Sequence, residues 1–268
     1  MQVASKTIVV TGAGSGIGRE LTLQLLKKNA KVVGVDIHES ALLETQKIAG
    51  VGDDQFKGFA LDITDKEKVD ALPNEVIFHF GVVDGIINNA GIIQHFIPVN
   101  DLSFGEINRV MNVNFYGTVY LTKAFLPHFL TRPEAHIVNI SSMGGFIPFP
   151  GQTIYGAAKA AVKLFTEGLY AELKETNVKV TVVHPGAIAT NITENSGLGK
   201  PKGDPAAQAK MALPASKAAE IIIRAMERNK FRVTVGKDAT MLDILYRLSP
   251  QFATNFIGKM MARGSKDM

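Results

Sequence analysis

Short runs of β-branched and aliphatic residues alternate along the chain with stretches of helical spacing. Seven of these runs predict strands, at Thr7–Thr11, Lys31–Asp36, Gln55–Leu61, Asp84–Asn88, His136–Ser141, Lys179–His184 and Arg232–Val235. After the first run, apolar residues recur at Ile17, Leu21 and Leu25, as on the buried face of a helix. Strands that are apolar throughout are typical of a parallel sheet covered by helices on both faces. The pattern predicts an α/β fold, with residues 1–268 in a single doubly wound, Rossmann-type domain around a parallel seven-stranded sheet.

Two regions depart from this alternation. Residues 190–215 are polar and rich in Gly, Pro, Asn and Lys, and they are too long for an ordinary connection between a strand and a helix. We expect a lid over the substrate there. Residues 240–268 form a C-terminal helical extension whose second part has the spacing of an amphipathic helix. That helix could close over the pocket, pack in a subunit interface or touch a membrane surface, and the membrane is the least favoured of the three.

Composition narrows the classes of function. The 268 residues are 46% hydrophobic and 20% charged, which suits a large packed core, and the absence of cysteine excludes disulfides and thiolate nucleophiles. The six histidines lack metal-ligand spacing, so no metal site is expected. Neither a signal peptide nor a long apolar span is visible, and we expect a cytoplasmic protein. The net charge of +4 is scattered along the chain, which argues against a nucleic-acid partner.

A glycine-rich turn follows the first predicted strand and opens the first predicted helix. A backbone that turns tightly against a pyrophosphate has no room for Cβ atoms, and the helix N-terminus behind it offers free N–H groups and a partial positive charge. A turn of this kind between a strand and a helix predicts a dinucleotide-binding loop. Its candidate cofactor-binding residues are Gly12, Ser15, Gly16, Ile17 and Gly18.

An acidic residue ends the second predicted strand, as Asp36, and another ends the third, as Asp62 before Ile63. A carboxylate at position 36 can accept hydrogen bonds from both ribose hydroxyls of an adenosine and would repel a 2′-phosphate. We therefore favour NAD over NADP. The alternative for Asp36 is a helix cap, and for Asp62 an adenine contact and a cap are equally supported.

A possible reacting group lies in the second half of the chain. Tyr155 and Lys159 are four residues apart and so share one face of a helix. Ser142 follows the fifth predicted strand, at the edge of a parallel sheet where ligands bind. A Tyr and Lys pair alone usually marks a solvated helix face. Together with the serine and the glycine loop, it predicts an acid/base site beside a dinucleotide.

With these residues, the chain resembles the short-chain dehydrogenase/reductase family over nearly its whole length. The matching segments are the glycine loop in the form Thr-Gly-x-x-x-Gly-x-Gly, Asn88-Asn89-Ala90-Gly91, Asn114-Phe115-Tyr116-Gly117, Ser142, Tyr155, Lys159, and Pro185-Gly186 followed by Thr190. The resemblance implies catalytic roles for Asn114, Ser142, Tyr155 and Lys159. It extends the cofactor-binding set to Asp62, Ile63, Asn89, Ala90, Gly91, Tyr155, Lys159, Pro185, Gly186, Ile188 and Thr190, and it implies a homo-oligomer, a dimer or a tetramer.

The roles that the resemblance implies agree with elementary electrostatics. Tyr155 would be the general acid/base, Ser142 would hold the substrate oxygen, and Asn114 would anchor a water that relays protons. A cation such as Lys159 at about 4 Å contributes roughly 4 kcal/mol at an effective dielectric of 20, near three pKa units before the cost of burial. We therefore expect Lys159 and the cofactor to draw the pKa of Tyr155 toward neutrality.

The segments expected beside the substrate are apolar, from Ile92 and Ile93 to the stretch Met143–Pro150. They favour a lipophilic secondary alcohol or ketone as the small-molecule substrate. One alternative is an NADPH-dependent carbonyl or 3-oxoacyl reductase. Another, of a different class, is a non-catalytic NAD-binding regulatory protein, although such a protein has no need of all four catalytic residues. His95 is a candidate for the pocket wall, whereas His184 is better explained by packing or backbone bonding.

Overall fold

The computed structural model describes residues 1–199 and 212–264. The strands are β1 (Thr7–Thr11), β2 (Lys31–Asp36), β3 (Phe56–Ala60), β4 (Gly85–Asn88), β5 (Ala135–Ile140), β6 (Val178–Pro185), β7 (Ile188–Ala189), β8 (Leu213–Pro214) and β9 (Arg232–Val235). The α-helices are α1 (Gly16–Lys27), α2 (Glu39–Ala49), α3 (Lys66–Phe80), α4 (Phe104–Met111), α5 (Gly117–Leu130), α6 (Thr153–Glu172), α7 (Ile192–Asn195), α8 (Ala215–Glu227), α9 (Lys237–Leu248) and α10 (Pro250–Gly264). A π-helical turn, Asn112–Tyr116, joins α4 to α5.

Seven strands form one parallel sheet in the order β3-β2-β1-β4-β5-β6-β9. The predicted doubly wound α/β fold is therefore confirmed, and each of the seven predicted strands lies within about one residue of its observed bounds. The strand order reverses direction between β1 and β4. In an open α/β sheet, a crevice forms at this point, outside the carboxyl ends of the strands.

Alternation along β1 shows how the sheet is covered on both faces. Val9 packs into one core cluster with α3 and α5, which contribute side chains such as Leu72 and Phe125. Its neighbours Ile8 and Val10 pack into the opposite cluster, with α1 and α8. Because both faces are buried, a strand of this sheet has no polar side, and this is why the sequence shows continuous apolar runs.

The first of the two irregular regions, the predicted lid, contains regular structure that the sequence did not predict. Residues 200–211 of the predicted 190–215 lid lie outside the described residues. Strand β7 and the short helix α7 precede that gap in the chain. Strand β8 follows the gap and pairs in parallel with β7. The predicted extension over residues 240–268 contains most of α9 and all of α10, and its last four residues lie outside the described chain.

The C-terminal helices pack onto the segment that follows β5. A third core cluster joins Ile147 to Leu242 of α9 and to Ala253 and Ile257 of α10. Met261, one turn further along α10, packs against the same cluster. The extension is thereby held beside the residues that follow Ser142. None of the helices described, in either part of the chain, combines the length and apolarity that a bilayer crossing requires.

Candidate active site

The glycine loop occupies the crevice between β1 and β4. Gly12 has a φ of +67°, a conformation that residues with a Cβ rarely adopt. At Gly18, a Cβ would lie 2.0 Å from the carbonyl oxygen of Gly12, so the first turn of α1 packs directly on the loop. The backbone is therefore close to whatever lies against the loop, and the N–H groups of the first helical turn face the crevice.

Asn89 fixes the glycine loop to the end of β4. Its side-chain Nδ2 donates to the Thr11 carbonyl oxygen at 2.9 Å, and its backbone N–H donates to Thr11 Oγ1 at 2.9 Å. The backbone N–H of Ala90 donates to the same hydroxyl, also at 2.9 Å. These bonds lock together the two strand ends that border the crevice. Thr11, at the head of the glycine loop, thus has a structural role that sequence reasoning left unassigned.

Asp36 lies at the carboxyl end of β2, where its carboxylate borders the cleft. Its Oδ2 accepts the backbone N–H of Gly14 at 2.9 Å, and its Oδ1 accepts that of His38 at 3.0 Å. The N-cap of α2 is His38. Asp36 therefore stabilises the turn that precedes α2 and does not cap the helix. Each carboxylate oxygen keeps a second lone pair, which leaves acceptors available to a ligand.

Asp62 and Ile63 border the same side of the cleft. The Oδ1 atom of Asp62 accepts both the backbone N–H of Thr64, at 2.9 Å, and its hydroxyl, at 2.8 Å. The aspartate therefore stabilises a local turn while its carboxylate lines the cleft. The cap of α3 is Asp65, so the interpretation of Asp62 as a helix cap is wrong, and its contact with adenine stays a prediction. The Ile63 side chain packs close to Gly117, at the start of α5.

Ser142, Tyr155 and Lys159 meet at the inner end of the cleft. Ser142 directly follows Ser141 at the end of β5, and its hydroxyl accepts the backbone N–H of Gly144 at 3.0 Å. The Lys159 Nζ atom lies 6.0 Å from the centre of the Tyr155 ring and donates to the Ile140 carbonyl oxygen at 3.0 Å. The predicted side-chain group is therefore assembled, with all three members on the cleft wall.

Burial dominates the protonation of this group in the ligand-free protein. Burial raises the pKa of the Tyr155 phenol, and a hydrogen bond from the Ser142 side chain offsets part of that rise. Burial also lowers the pKa of the Lys159 ammonium to about 8. The sequence predicted that Lys159 and the cofactor together would lower the phenol pKa. In the structure burial raises this pKa, because the phenolate is costly to desolvate, and the effect of the cofactor stays a prediction.

Asn114 lies behind the cleft wall, in the π-helical turn between α4 and α5. Its side chain is 0% exposed, accepts the Ile92 N–H at 3.0 Å and donates to the Ile92 carbonyl oxygen at 2.8 Å. Both ends of the amide are thus engaged by one backbone residue. Its own carbonyl oxygen accepts the Thr118 hydroxyl at 3.2 Å. Such π turns widen the helix locally and recur at functional sites.

A loop after β6 forms the far rim of the cleft. Pro185, Gly186, Ile188 and Thr190 all line it, and Asp238 of α9 accepts the backbone N–H of Ala187 at 2.7 Å. Helix α7 follows that loop in the chain, and its residues also line the cleft. The Asn195 side chain donates to Ser15 Oγ at 2.7 Å, and the buried Ser196 hydroxyl accepts the N–H of Ile93 at 2.9 Å. The described beginning of the predicted lid is therefore bonded to both sides of the crevice.

One continuous cleft, of about 1230 Å³, connects these parts. That volume exceeds the usual range for a single small ligand and suits a dinucleotide together with a second molecule. Of the predicted catalytic and cofactor-binding residues, Gly18 and Asn114 lie behind the wall and the others line it. The apolar residues of the lining include Ile92, Ile93, Phe96, Met143, Phe149, Ile192 and Met261.

Neither His95 nor His184 lines the cleft. The His95 ring is exposed and pairs with Glu106, with 2.8 Å between its Nδ1 and a carboxylate oxygen. His184 is buried, its Nδ1 is 3.2 Å from the Ser142 carbonyl oxygen, and burial lowers its pKa to about 4. His184 is therefore neutral and supports the backbone of Ser142 from behind.

Sequence reasoning missed four residues that shape the cleft: Gln94, Ser196, Asp238 and Met261. Gln94 and Ser196 are buried polar residues whose partners are distant in the sequence. Gln94 could have been noticed as the first polar residue in a mostly apolar stretch after Gly91. The sequence carries no comparable signal for Met261, whose position depends on how α10 packs.

Fold and site together define a Rossmann-type protein with a dinucleotide cleft and an adjoining Ser, Tyr and Lys group. Comparison with known families agrees: residues 6–200 match the model of the short chain dehydrogenases. A Mycobacterium tuberculosis protein, SadH, described by name as a proposed oxidoreductase, is 40% identical over 250 residues, which cover 91% of this chain and 90% of that protein. The chain therefore belongs to the short-chain dehydrogenase/reductase family of oxidoreductases.

Solved structures show the same relationship. A short-chain dehydrogenase/reductase from Burkholderia phymatum, in complex with NAD, has a TM-score of 0.84 and 26% identity, covering 94% of this chain and 96% of that one. Levodione reductase has a TM-score of 0.77 and 26% identity, covering 87% of this chain and 95% of its own.

Proposed function

We propose that the protein transfers a hydride between NAD(H) and a lipophilic secondary alcohol or ketone, with Tyr155 as the general acid/base. The observation that carries this proposal is the single cleft. It runs from the Asp36 carboxylate, past the glycine loop, to the group formed by Ser142, Tyr155 and Lys159. A cofactor site and an acid/base are thus joined without an intervening wall.

The residues around the loop fit a dinucleotide. At Gly12 and Gly18 a Cβ would crowd neighbouring protein atoms, so these glycines allow the tight turn that leads into α1, and the N-terminus of α1 stabilises an anion beside it. Asp36 presents free acceptor lone pairs where the hydroxyls of a ribose would be held, and its charge disfavours a 2′-phosphate. When bound, NAD(H) supplies or accepts the hydride. The NAD that the Burkholderia protein binds supports the same assignment.

Tyr155, Ser142 and Lys159 each have a separate role in the transfer of the proton. In the reduction direction, the Tyr155 hydroxyl donates its proton to the substrate oxygen, and its raised pKa keeps it protonated until that step. The Ser142 hydroxyl holds the same oxygen and stabilises charge that develops on it. Lys159, as an ammonium, stabilises the phenolate that remains. In the oxidation direction, the same phenolate takes the proton of the alcohol.

The substrate end of the cleft favours an apolar molecule. Met143 and Phe149 follow Ser142 in the chain, and Met261 reaches them from α10 through a shared core cluster. Burial of apolar substrate surface against such side chains contributes about 25 cal/mol per Å². Arg109 also borders the cleft, from α4, but its guanidinium donates to the Ser196 carbonyl oxygen at 3.0 Å.

The first test is NADH formation by the purified protein with NAD and a panel of secondary alcohols, from short diols to sterols. We expect turnover with the more apolar alcohols, and a fall of about two orders of magnitude or more in Tyr155→Phe, which keeps the ring but loses the proton. NADH binding should be unchanged in that variant. Turnover that persists in Tyr155→Phe would contradict the assignment. Tight NADH binding without any turnover would favour the non-catalytic, regulatory alternative.

A further inference from the structure

The catalytic helix begins in an unusual way. Tyr155 is the third residue of α6, within the first turn, where backbone N–H groups lack partners inside the helix. The side chain of the residue just before the helix commonly accepts a hydrogen bond from such N–H groups. Here the preceding residue is Gln152, and its amide turns away to donate to the Gln94 carbonyl oxygen at 2.8 Å.

Gln94 takes over the capping of α6 from a distant part of the chain. Its Oε1 accepts the N–H of Ile154 at 2.8 Å and that of Tyr155 at 2.9 Å. Its Nε2 donates to the Gly151 carbonyl oxygen at 3.0 Å. These three bonds fix the orientation of the amide, because an exchange of its oxygen and nitrogen would place like groups against each other at all three contacts. The residue is only 1% exposed, so water cannot replace these partners.

The residues on either side of Gln94 connect the cap to the rest of the cleft. The backbone of Ile92 is held by Asn114, and that of Ile93 by Ser196. Three successive residues of one loop are therefore bonded to the π turn, to the end of α7 and to the start of α6. A loop held in this way transmits its position to the helix that carries Tyr155.

From this geometry we infer that Gln94 is a positioning residue, which fixes the Tyr155 phenol against Ser142 by capping α6 from outside the helix. This inference rests on the proposed role of Tyr155. Gln94 itself lies behind the cleft wall and acts only through the helix start. Since a displacement of about 1 Å in a reacting group can cost on the order of 100-fold in rate, loss of the cap is expected to lower kcat rather than weaken binding.

The test compares Gln94→Met with a matched control. Methionine has a similar length and keeps the buried volume but cannot accept either N–H group. We expect kcat with the best alcohol of the panel to fall about 10- to 100-fold, while the Kd for NADH stays within about twofold. The control is Asp65→Ala, which removes a helix cap from α3, where the aspartate accepts the Lys68 N–H at 3.2 Å. It should lower Tm to a similar extent and leave kcat unchanged.

A second readout needs neither cofactor nor substrate. Burial raises the pKa of Tyr155, so a loosened helix start that admits water should bring that pKa down toward its ordinary value of 10.0. The titration is followed by phenolate absorbance in the cofactor-free protein. Subtracting the same titration in the background of Tyr155→Phe isolates this residue from the other four tyrosines of the chain.

The outcomes separate this inference from the proposed function. If Tyr155→Phe loses turnover and Gln94→Met keeps it, with an unchanged Tyr155 titration, the positioning role is wrong and the proposed function stands. If Tyr155→Phe keeps turnover, the proposed function fails first. Should Gln94→Met not fold, Gln94→Ala decides, because the shortened side chain no longer reaches either N–H group. A fall in kcat supports the inference, and full kcat in that variant overturns it.

Discussion

The two halves of the cleft are built by different means. In the cofactor half, short segments that follow β1, β2 and β4 meet at the crevice, and the backbone itself forms the surface at Gly12, with Gly18 packed directly behind it. In the substrate half, side chains from distant segments carry the structure: Gln94 reaches α6, Ser196 reaches Ile93, and α10 contributes Met261. The shape of the cofactor half depends on the backbone turns. The shape of the substrate half depends on contacts between side chains from distant segments. Substitutions should therefore act very differently in the two halves.

The largest effect is expected where the first turn of α1 packs on the glycine loop. In Gly18→Ala, the new Cβ would lie 2.0 Å from the Gly12 carbonyl oxygen, so the loop must move. We expect NADH binding to fall below detection, with a loss of about 1–3 kcal/mol in the free energy of unfolding from overpacking. Fluorescence titration with NADH and urea unfolding measure the two. The matched control is Gly168→Ala in α6, where a Cβ meets open space and should stabilise the helix.

Lys159, at the boundary between the halves, gives the next largest effect. Burial holds its pKa at about 8 in the folded protein, against an ordinary value of 10.5. Between these two values the unfolded chain binds more protons, so the free energy of unfolding should rise with pH in the wild type, by up to about 3 kcal/mol. In Lys159→Met this rise should be absent.

The measurement is urea unfolding of both proteins from pH 7 to pH 10. Lys163→Met serves as the control, because Lys163 lies one turn further along α6 and its ammonium is paired with Glu167 at 2.8 Å nearer the solvent. Parallel pH curves for the wild type and Lys159→Met would show that the amine is solvated rather than buried.

A single side chain in the cofactor half is expected to matter for selectivity. Asp36→Ser removes the charge that disfavours a 2′-phosphate, and we expect the ratio of NADPH to NADH affinity to rise about tenfold, equivalent to roughly 1.4 kcal/mol. Asp53→Ser, on an exposed turn, changes the net charge equally and should leave the ratio unaltered. An unchanged ratio in Asp36→Ser would leave the carboxylate with only its structural bonds to Gly14 and His38.

The smallest effect is expected at the wall of the substrate half. Met261→Ala enlarges the pocket without disturbing a hydrogen bond, and kcat/KM for bulky alcohols should rise roughly threefold relative to compact ones. Its neighbour Met260 is 51% exposed, so Met260→Ala should not change the ratio. If both variants behave alike, α10 does not define the size of the substrate.

The sequence predicts the cofactor half well and the substrate half poorly, for physical reasons. Buried parallel strands have to be apolar on both faces, and a phosphate cradle requires glycine, so both are visible as local patterns. The cap that Gln94 provides spans 60 residues along the chain, and no local spacing encodes it. The pair β7 and β8 was missed because each strand has only two residues.

Two further differences between the sequence predictions and the structure come from burial and from helix geometry. The predicted fall in the Tyr155 pKa considered the attraction of Lys159 and the cofactor before the cost of burial, and burial raises this pKa in the structure. The π turn around Asn114 has the apolar spacing of an ordinary helix, so no local pattern in the sequence predicts it.

The loop from Ile92 to Gln94 also limits how this protein can diversify. Each of its three residues is bonded to a different element, so inserting or deleting one residue would shift all later partners out of register. Change within this stretch is confined to substitution. Immediately afterwards, His95 and Phe96 are exposed, and additional residues would extend into solvent at the mouth of the cleft. Relatives with new substrate preferences are therefore expected to differ in loop length after position 94, and to keep it unchanged between Asn89 and Gln94.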